Sequence, residues 1–231
     1  MTDFLQCAGV RRQYDAGVAT TVALRGVSLT IQESEIVSIT GPSGSGKSTL
    51  LNLLSGLDAP SSGRVLYQGR DINKLTAKEK SRFRLEQVGF VFQFFNLIPN
   101  LTAFDNAILP AVLNGQYDKT GLVDDLMEAV GLSDKKHSMP NELSGGEQQR
   151  IAIIRAMVNS PKIIFADEPT GNLDSQTGGQ VIGLLMDRAR LGKQTLVYVT
   201  HDAGLAGLAD RRIEIMDGEI IRETSHTTCL S

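Results

Sequence analysis

Three glycines, a lysine and hydroxyl side chains fall within nine residues at Gly41-Pro42-Ser43-Gly44-Ser45-Gly46-Lys47-Ser48-Thr49. The spacing is that of a phosphate loop, G-x-x-x-x-G-K-[ST]. Glycines at 41, 44 and 46 admit left-handed or crowded backbone, so successive N–H groups can converge on one anion. A helix that starts here adds its positive end to the same place. In that arrangement the Lys47 ammonium sits between β- and γ-phosphates, Ser48 ligates Mg²⁺ and Thr49 donates to the α-phosphate, while Ser43 and Ser45 complete the loop.

Two further groupings suit the same chemistry. Ile163-Ile164-Phe165-Ala166 runs into Asp167-Glu168, which puts two carboxylates at the end of a buried strand, where open α/β sheets bind ligands. Beside a metal-bound nucleotide, Asp167 can hold the metal through water and Glu168 can act as general base on an attacking water. Taken alone, the same pattern describes a strand that ends in surface acids. In Leu143-Ser144-Gly145-Gly146-Glu147-Gln148-Gln149, Ser144 and Glu147 form an S-x-x-E capping box, so a helix begins there. Its two glycines leave the first N–H groups uncovered, which makes a second anion site. Two phosphate-binding elements on different subdomains allow one nucleotide to be sandwiched when two copies meet head to tail.

The elements around these groups follow from periodicity. Glu35 to Thr40 reads as a short buried strand and Ser48 to Leu54 as a leucine-rich helix. Residues 4–31 alternate apolar and polar, with Gly17 and Gly26 as breaks, which predicts antiparallel strands. Ser61-Ser62-Gly63 and Gly69-Arg70-Asp71 read as turns flanking the strand Arg64 to Tyr67. A helix over Ala77 to Glu86 and a strand over Val88 to Phe92 follow. From Gln93 to about Ser160 the spacing turns helical: Leu122, Leu126, Ala129 and Val130 end at Gly131, and Ile151, Ile154 and Val158 end before Pro161. Strands then resume at Ile163 to Ala166, Thr195 to Thr200 and Ile213 to Ile215, the last of them, with a helix over Gly179 to Arg190. Strands alternating with helices imply an α/β class with a mainly parallel sheet.

At 231 residues, with 41% hydrophobic and 21% charged residues, the chain suits one globular domain with an inserted subdomain. The net charge of −3 gives no footprint for nucleic acid, and Arg11-Arg12 and Arg211-Arg212 read as solvated surface. Cys7 and Cys229 suit no zinc or redox spacing, which is consistent with a reducing compartment. The start of the chain lacks a secretion-signal pattern and no apolar run approaches a membrane span, so a membrane role requires spans on another chain.

The ordered set of phosphate loop, Gln93, LSGGE at Leu143 to Glu147, IIFADE at Ile163 to Glu168, Asn172-Leu173-Asp174 and His201 covers essentially the whole chain. It resembles the nucleotide-binding ATPase subunit of ABC transporters. That resemblance implies a P-loop NTPase (RecA-like) core with an N-terminal antiparallel β-subdomain over 1–92 and 161–231, and a helical signature subdomain over 93–160. It implies ATP and Mg²⁺ as ligands, with Gln93 sensing Mg²⁺ and γ-phosphate, Asp174 crossing the interface toward the opposite phosphate loop, and His201 contacting the γ-phosphate as the switch. Tyr14 stands where the family stacks an aromatic ring on adenine; an ordinary surface tyrosine before a turn fits the residue as well. His137 and His226 match nothing and read as surface.

Phe90 to Gln93, Leu101-Thr102 with Asp105-Asn106, and Glu168 to Ser175 resemble the branch of lipoprotein-release, macrolide-export and peptide-resistance ATPases, with the cell-division ATPase also similar. The implied partners are a second copy, head to tail, and an integral membrane permease, placing the chain in the cytoplasm at the inner face of the membrane. Phe94, Phe95 and Leu97 fit either a permease-facing surface or subdomain core. Ser34 replaces the usual glycine, Asp105 the commoner glutamate and Glu147 a frequent glutamine. None removes a catalytic group. The rivals are a related ATPase that transmits force without transport, and a soluble ABC protein of repair or translation, whose second cassette or coiled-coil insert this chain lacks.

Overall fold

A computed structural model describes residues 3–16 and 19–225, with the side chains of 15, 16 and 19 left aside. Gly17, His226 and Cys229 lie outside the described residues. In chain order the elements are β1 (Leu5–Ala16), β2 (Ala19–Ile31), β3 (Ile36–Thr40), α1 (Lys47–Leu54), β4 (Ser62–Tyr67), β5 (Arg70–Asp71), α2 (Ala77–Gln87), β6 (Val88–Phe92), α3 (Ala103–Leu113), α4 (Thr120–Ala129), α5 (Gly145–Met157), β7 (Ile163–Asp167), α6 (Ser175–Leu191), β8 (Thr195–Val199), α7 (Ala203–Ala206), β9 (Arg211–Met216) and β10 (Glu219–Ser225). They group into two compact units, one of residues 1–81 with 195–231 and one of residues 82–194.

The first unit holds an antiparallel sheet in the order β2-β1-β4-β5. Strand β2 is not broken at Gly26: that residue is left over between the pairs Val10–Val27 and Arg11–Arg25, with φ of 116°, so the glycine absorbs a bulge and the strand runs on. The predicted turn at 69–71 narrows to Gln68-Gly69, because Arg70 and Asp71 pair with Tyr67 and Leu66.

The unit's other strands run in the order β10-β9-β3-β8. Strand β3 lies parallel to both β8 and β9, as the alternation of strands and helices implies. Strand β9 is not the last: β10 pairs with it antiparallel along a mostly exposed edge. Helix α1 has only eight residues, too few to persist alone. Leu50, Leu51, Leu53 and Leu54 are fully buried, worth about 1.5–3 kcal/mol each, and this docking keeps the helix formed.

Arg211 and Arg212 are not solvated surface. The Arg211 guanidinium donates to Glu35 Oε1 at 2.7 Å and Oε2 at 3.2 Å, to Glu223 Oε2 at 3.0 Å, and to the Thr30 carbonyl. Arg212 Nε donates to Thr40 Oγ1 at 3.1 Å. Arg12 likewise is engaged, with Asp58 at 2.9 Å. Arg211→Ala leaves the largely buried Glu35 carboxylate with the Gln32 N–H but without its cation, and is expected to cost about 2–3 kcal/mol. The thermal midpoint should fall by roughly 5–10 °C; an unchanged midpoint would show the network to be dispensable.

In the second unit β6 and β7 pair in parallel, and Phe90 stacks on Phe165 with centroids 6.0 Å apart. The helical spacing of 93–160 gives α4 and α5 as expected, and also α3, which Thr102 caps by accepting from Asp105 N. Ala103, Ala107, Ala111, Val123, Met127, Ile151 and Ile154 form the core among these three helices. Leu97 packs against that core, whereas Phe94 stays 71% exposed, so the two readings of the aromatic stretch divide between residues. Helix α6 starts four residues earlier than expected because Asp174 caps it.

Candidate functional site

The phosphate loop leaves β3 at Thr40. A Cβ on Gly41 would stand 2.0 Å from the Ile215 carbonyl oxygen, and one on Gly46 2.5 Å from that of Ala23, so both positions require glycine for close approach. Gly218 N donates to the Ser45 carbonyl at 3.0 Å and Arg25 N to the Gly218 carbonyl at 2.9 Å, so the β9–β10 turn braces the loop. The Asp217-Gly218 pair was a visible turn signal, but nothing in the sequence tied it to the loop.

In front, the loop is open. A Cβ on Gly44 would meet nothing within 4 Å, and Pro42, Ser43, Gly44 and Ser48 are exposed. Ser45 Oγ is buried without a hydrogen-bond partner. The Lys47 side chain is buried, and its ammonium donates to the carbonyls of Gly41 at 3.0 Å and Pro42 at 2.7 Å. Tight behind and open in front, with a cation across its base, this cradle fits a polyphosphate.

His201 belongs to the same unit. Strands β3 and β8 run parallel with Ile39 opposite Val199, so Gly41 and His201 leave adjacent strands at the same end. Thr200 N donates to the Ile39 carbonyl at 3.2 Å, and Asp202 caps α7 by accepting from Gly204 N and Leu205 N. His201 is thereby fixed on both sides and is itself exposed. Tyr14, also in this unit, donates its hydroxyl to Asp58 Oδ2 at 3.0 Å, and the Arg12 guanidinium lies 4.5 Å from the ring centroid. One face of the ring is thus occupied by the guanidinium, and the residue remains 39% exposed.

In the second unit, Phe92 pairs with Asp167, so Gln93 and Glu168 leave β6 and β7 side by side at their carboxyl ends. Glu168 has φ of 45°, a left-handed conformation that glutamate adopts only when its surroundings impose it. Gly171 N holds the Glu168 carbonyl at 3.0 Å, Asn172 Nδ2 holds the Gln93 carbonyl at 2.7 Å, and a Cβ on Gly171 would reach 2.8 Å from Gln93 Nε2. Buried Gln149, not singled out from the sequence, donates to the carbonyls of Pro169 at 2.7 Å and Phe92 at 3.4 Å.

A cavity of about 320 Å³ in the same unit is lined by Ser144, Gly145, Gly146, Arg150, Asn172, Asp174 and Thr177, among others. The capping box forms: Ser144 Oγ and N donate to Glu147 Oε2, each at 2.7 Å, which holds that carboxyl below its ordinary pKa. The glycines serve packing as well as anion access, since a Cβ on Gly146 would lie 2.6 Å from Thr177 Cγ2. Asp174 spends its carboxylate as the α6 cap, and hydrogen bonds from Thr177 and Gln176 keep its pKa low. The structure thus brings the phosphate loop and His201 together in one unit. Gln93, Asp167 and Glu168, with the cluster of Ser144, Gly145, Gly146 and Asp174, belong to the other.

Residues 24–171 match the family described as ABC transporter. The chain belongs to that family. It is 42% identical over 227 residues to the lipoprotein-releasing system ATP-binding protein LolD of Shewanella frigidimarina, covering 96% of this chain and 95% of that protein. It is 44% identical over 222 residues to the macrolide export ATP-binding/permease protein MacB of Rhodopseudomonas palustris, covering 95% of this chain but 34% of that longer protein. Among solved structures, the post-hydrolysis dimer of the ATP-binding cassette MJ0796 bound to ADP and Pi superposes with a TM-score of 0.88 at 41% identity, covering 96% of this chain and 98% of that one. The ABC cassette described above is therefore an ATP-hydrolysing P-loop NTPase of the lipoprotein-release and macrolide-export branch. None of its described helices is long and apolar enough to cross a membrane.

Proposed function

We propose that this chain is the motor subunit of an ABC transporter, in which two copies close head to tail on ATP and drive a separate membrane permease from the inner face of the membrane. The loop Gly41 to Thr49 holds the triphosphate, with Lys47 countering its charge. Ser144, Gly145 and Gly146 of one copy cap the γ-phosphate held by the other. Glu168 orients the water for in-line attack, His201 and Gln93 contact the γ-phosphate side, Asp174 faces the opposite loop, and Tyr14 stacks on adenine.

Mg²⁺ needs only one or two protein oxygens beside the phosphates, and the oxygen donors of Ser48, Asp167 and Gln93 are of the hard kind that would hold it. When bound, the ion neutralises charge on the β- and γ-phosphates. The observation that supports this reading most strongly is the Phe92–Asp167 pairing, which sets Gln93 and a conformationally strained Glu168 next to each other.

The test is to express tagged chain carrying Glu168→Gln in its native host, solubilise membranes with Mg-ATP, and identify what co-purifies. A stoichiometric permease is expected. Soluble partners alone, with the permease missing under several detergents, would refute the transporter assignment.

A further inference from the structure

The segment that follows Gln93 has no regular structure until α3, so its carbonyls are left largely to side chains or water. Phe95 and Asn96 both adopt left-handed backbone, with φ of 60° and 49°, a conformation that asparagine tolerates but phenylalanine keeps only with outside support. In extended chain, successive carbonyls point to opposite sides. Here both converge on one group: the Arg155 guanidinium donates to the Phe95 carbonyl at 2.7 Å and to that of Asn96 at 2.5 Å.

Arg155 is on α5, ten residues after Gly145, so about 15 Å of continuous helix separates it from the signature glycines. On the same helix Gln149 binds the Phe92 carbonyl, immediately before Gln93. We infer that Arg155 is a positioning residue, which holds the Gln93 loop in its left-handed form and ties it to the helix that carries Ser144, Gly145 and Gly146. Movement of the signature end on closure then reaches Gln93 through one rigid element rather than through loose chain. A guanidinium suits this task because its planar fork spans two acceptors, whereas a lysine offers a point charge. Burial lowers the Arg155 pKa below the ordinary arginine value, so the group gives up hydration for these two carbonyls.

This inference rests on the proposed role of Gln93 in hydrolysis. The test is a double-mutant cycle in the purified chain, measuring kcat and KM for ATP in Arg155→Met, Arg155→Lys, Gln93→Ala and the combinations with Gln93→Ala. Arg155→Met is expected to lower kcat about tenfold with KM changed less than about twofold, because phosphate affinity resides in the Lys47 loop. Arg155→Lys should fall between it and the unaltered chain. Neither should cost anything further once Gln93 is alanine. Should Arg155→Met fail to fold, the Arg155→Lys arm completes the cycle alone.

An unaltered kcat in the Arg155 variants, or losses that multiply in the Gln93→Ala background, would overturn the inference and leave Arg155 as a fold residue. Full activity of Gln93→Ala by itself would remove the reading of Gln93, and the inference with it. That outcome is distinguishable because it involves no change at Arg155.

Discussion

Glu168→Gln is expected to leave ATP binding intact, to arrest hydrolysis and to trap the closed dimer. The substitution keeps the size of the side chain and its ability to accept from water, and removes only the negative charge that draws off a proton. A positioned general base contributes about 10²- to 10⁴-fold, so kcat should fall by that order. Affinity should hardly move, because the charges that bind the triphosphate lie with Lys47 and the loop amides. The Gly171 N–H holds the Glu168 carbonyl, a backbone contact that the substitution leaves in place, so the left-handed backbone at φ 45° should persist. Steady-state turnover, with size-exclusion light scattering in Mg-ATP, reads both effects. Hydrolysis at the unaltered rate would remove Glu168 from its role.

Lys47→Ala acts on the other side of the ledger of binding and turnover. Its ammonium lies across the base of the loop, and a charge-assisted contact to phosphate is worth about 1.5–3 kcal/mol, or roughly 10- to 100-fold in Kd. The change also releases the Gly41 and Pro42 carbonyls that Lys47 now holds. Those carbonyls lie at the half-exposed and exposed loop face, where water can replace the lost donor, so weakened binding should dominate over any loss of stability. Equilibrium binding of a fluorescent ATP analogue decides it, and retained tight binding would contradict the loop geometry.

What the sequence made legible was whatever is encoded locally. Buried strands such as Val88 to Phe92 and Ile163 to Asp167 are short β-branched or aromatic runs between breakers, and the phosphate loop and capping box are spelled by residue type. Helix α3 was hidden because Pro110 lies inside it and its core face is mostly alanine, which carries a weak periodic signal. Strand β10 is a polar edge that pairs on one side, so it lacks a buried alternation. Arg211 looked like surface because Glu35, its partner, is 176 residues away in the chain. Arg155 and Gln149 escaped for a different reason: they bind backbone carbonyls, which no residue type announces. The same applies to Asn106, whose side chain holds the carbonyls of Ile98 and Leu101 and fixes the path into α3.

The central claim is that a phosphate loop in one copy works with the signature of another. Mixing two inactive variants, Lys47→Ala and Gly145→Glu, tests it most directly. In a head-to-tail dimer half the pairs are mixed and each keeps one intact site, so hydrolysis should return to about a quarter of the unaltered rate. A mixture as inactive as either variant alone, although mixed dimers form in Mg-ATP, would show that the two elements do not serve one another across copies.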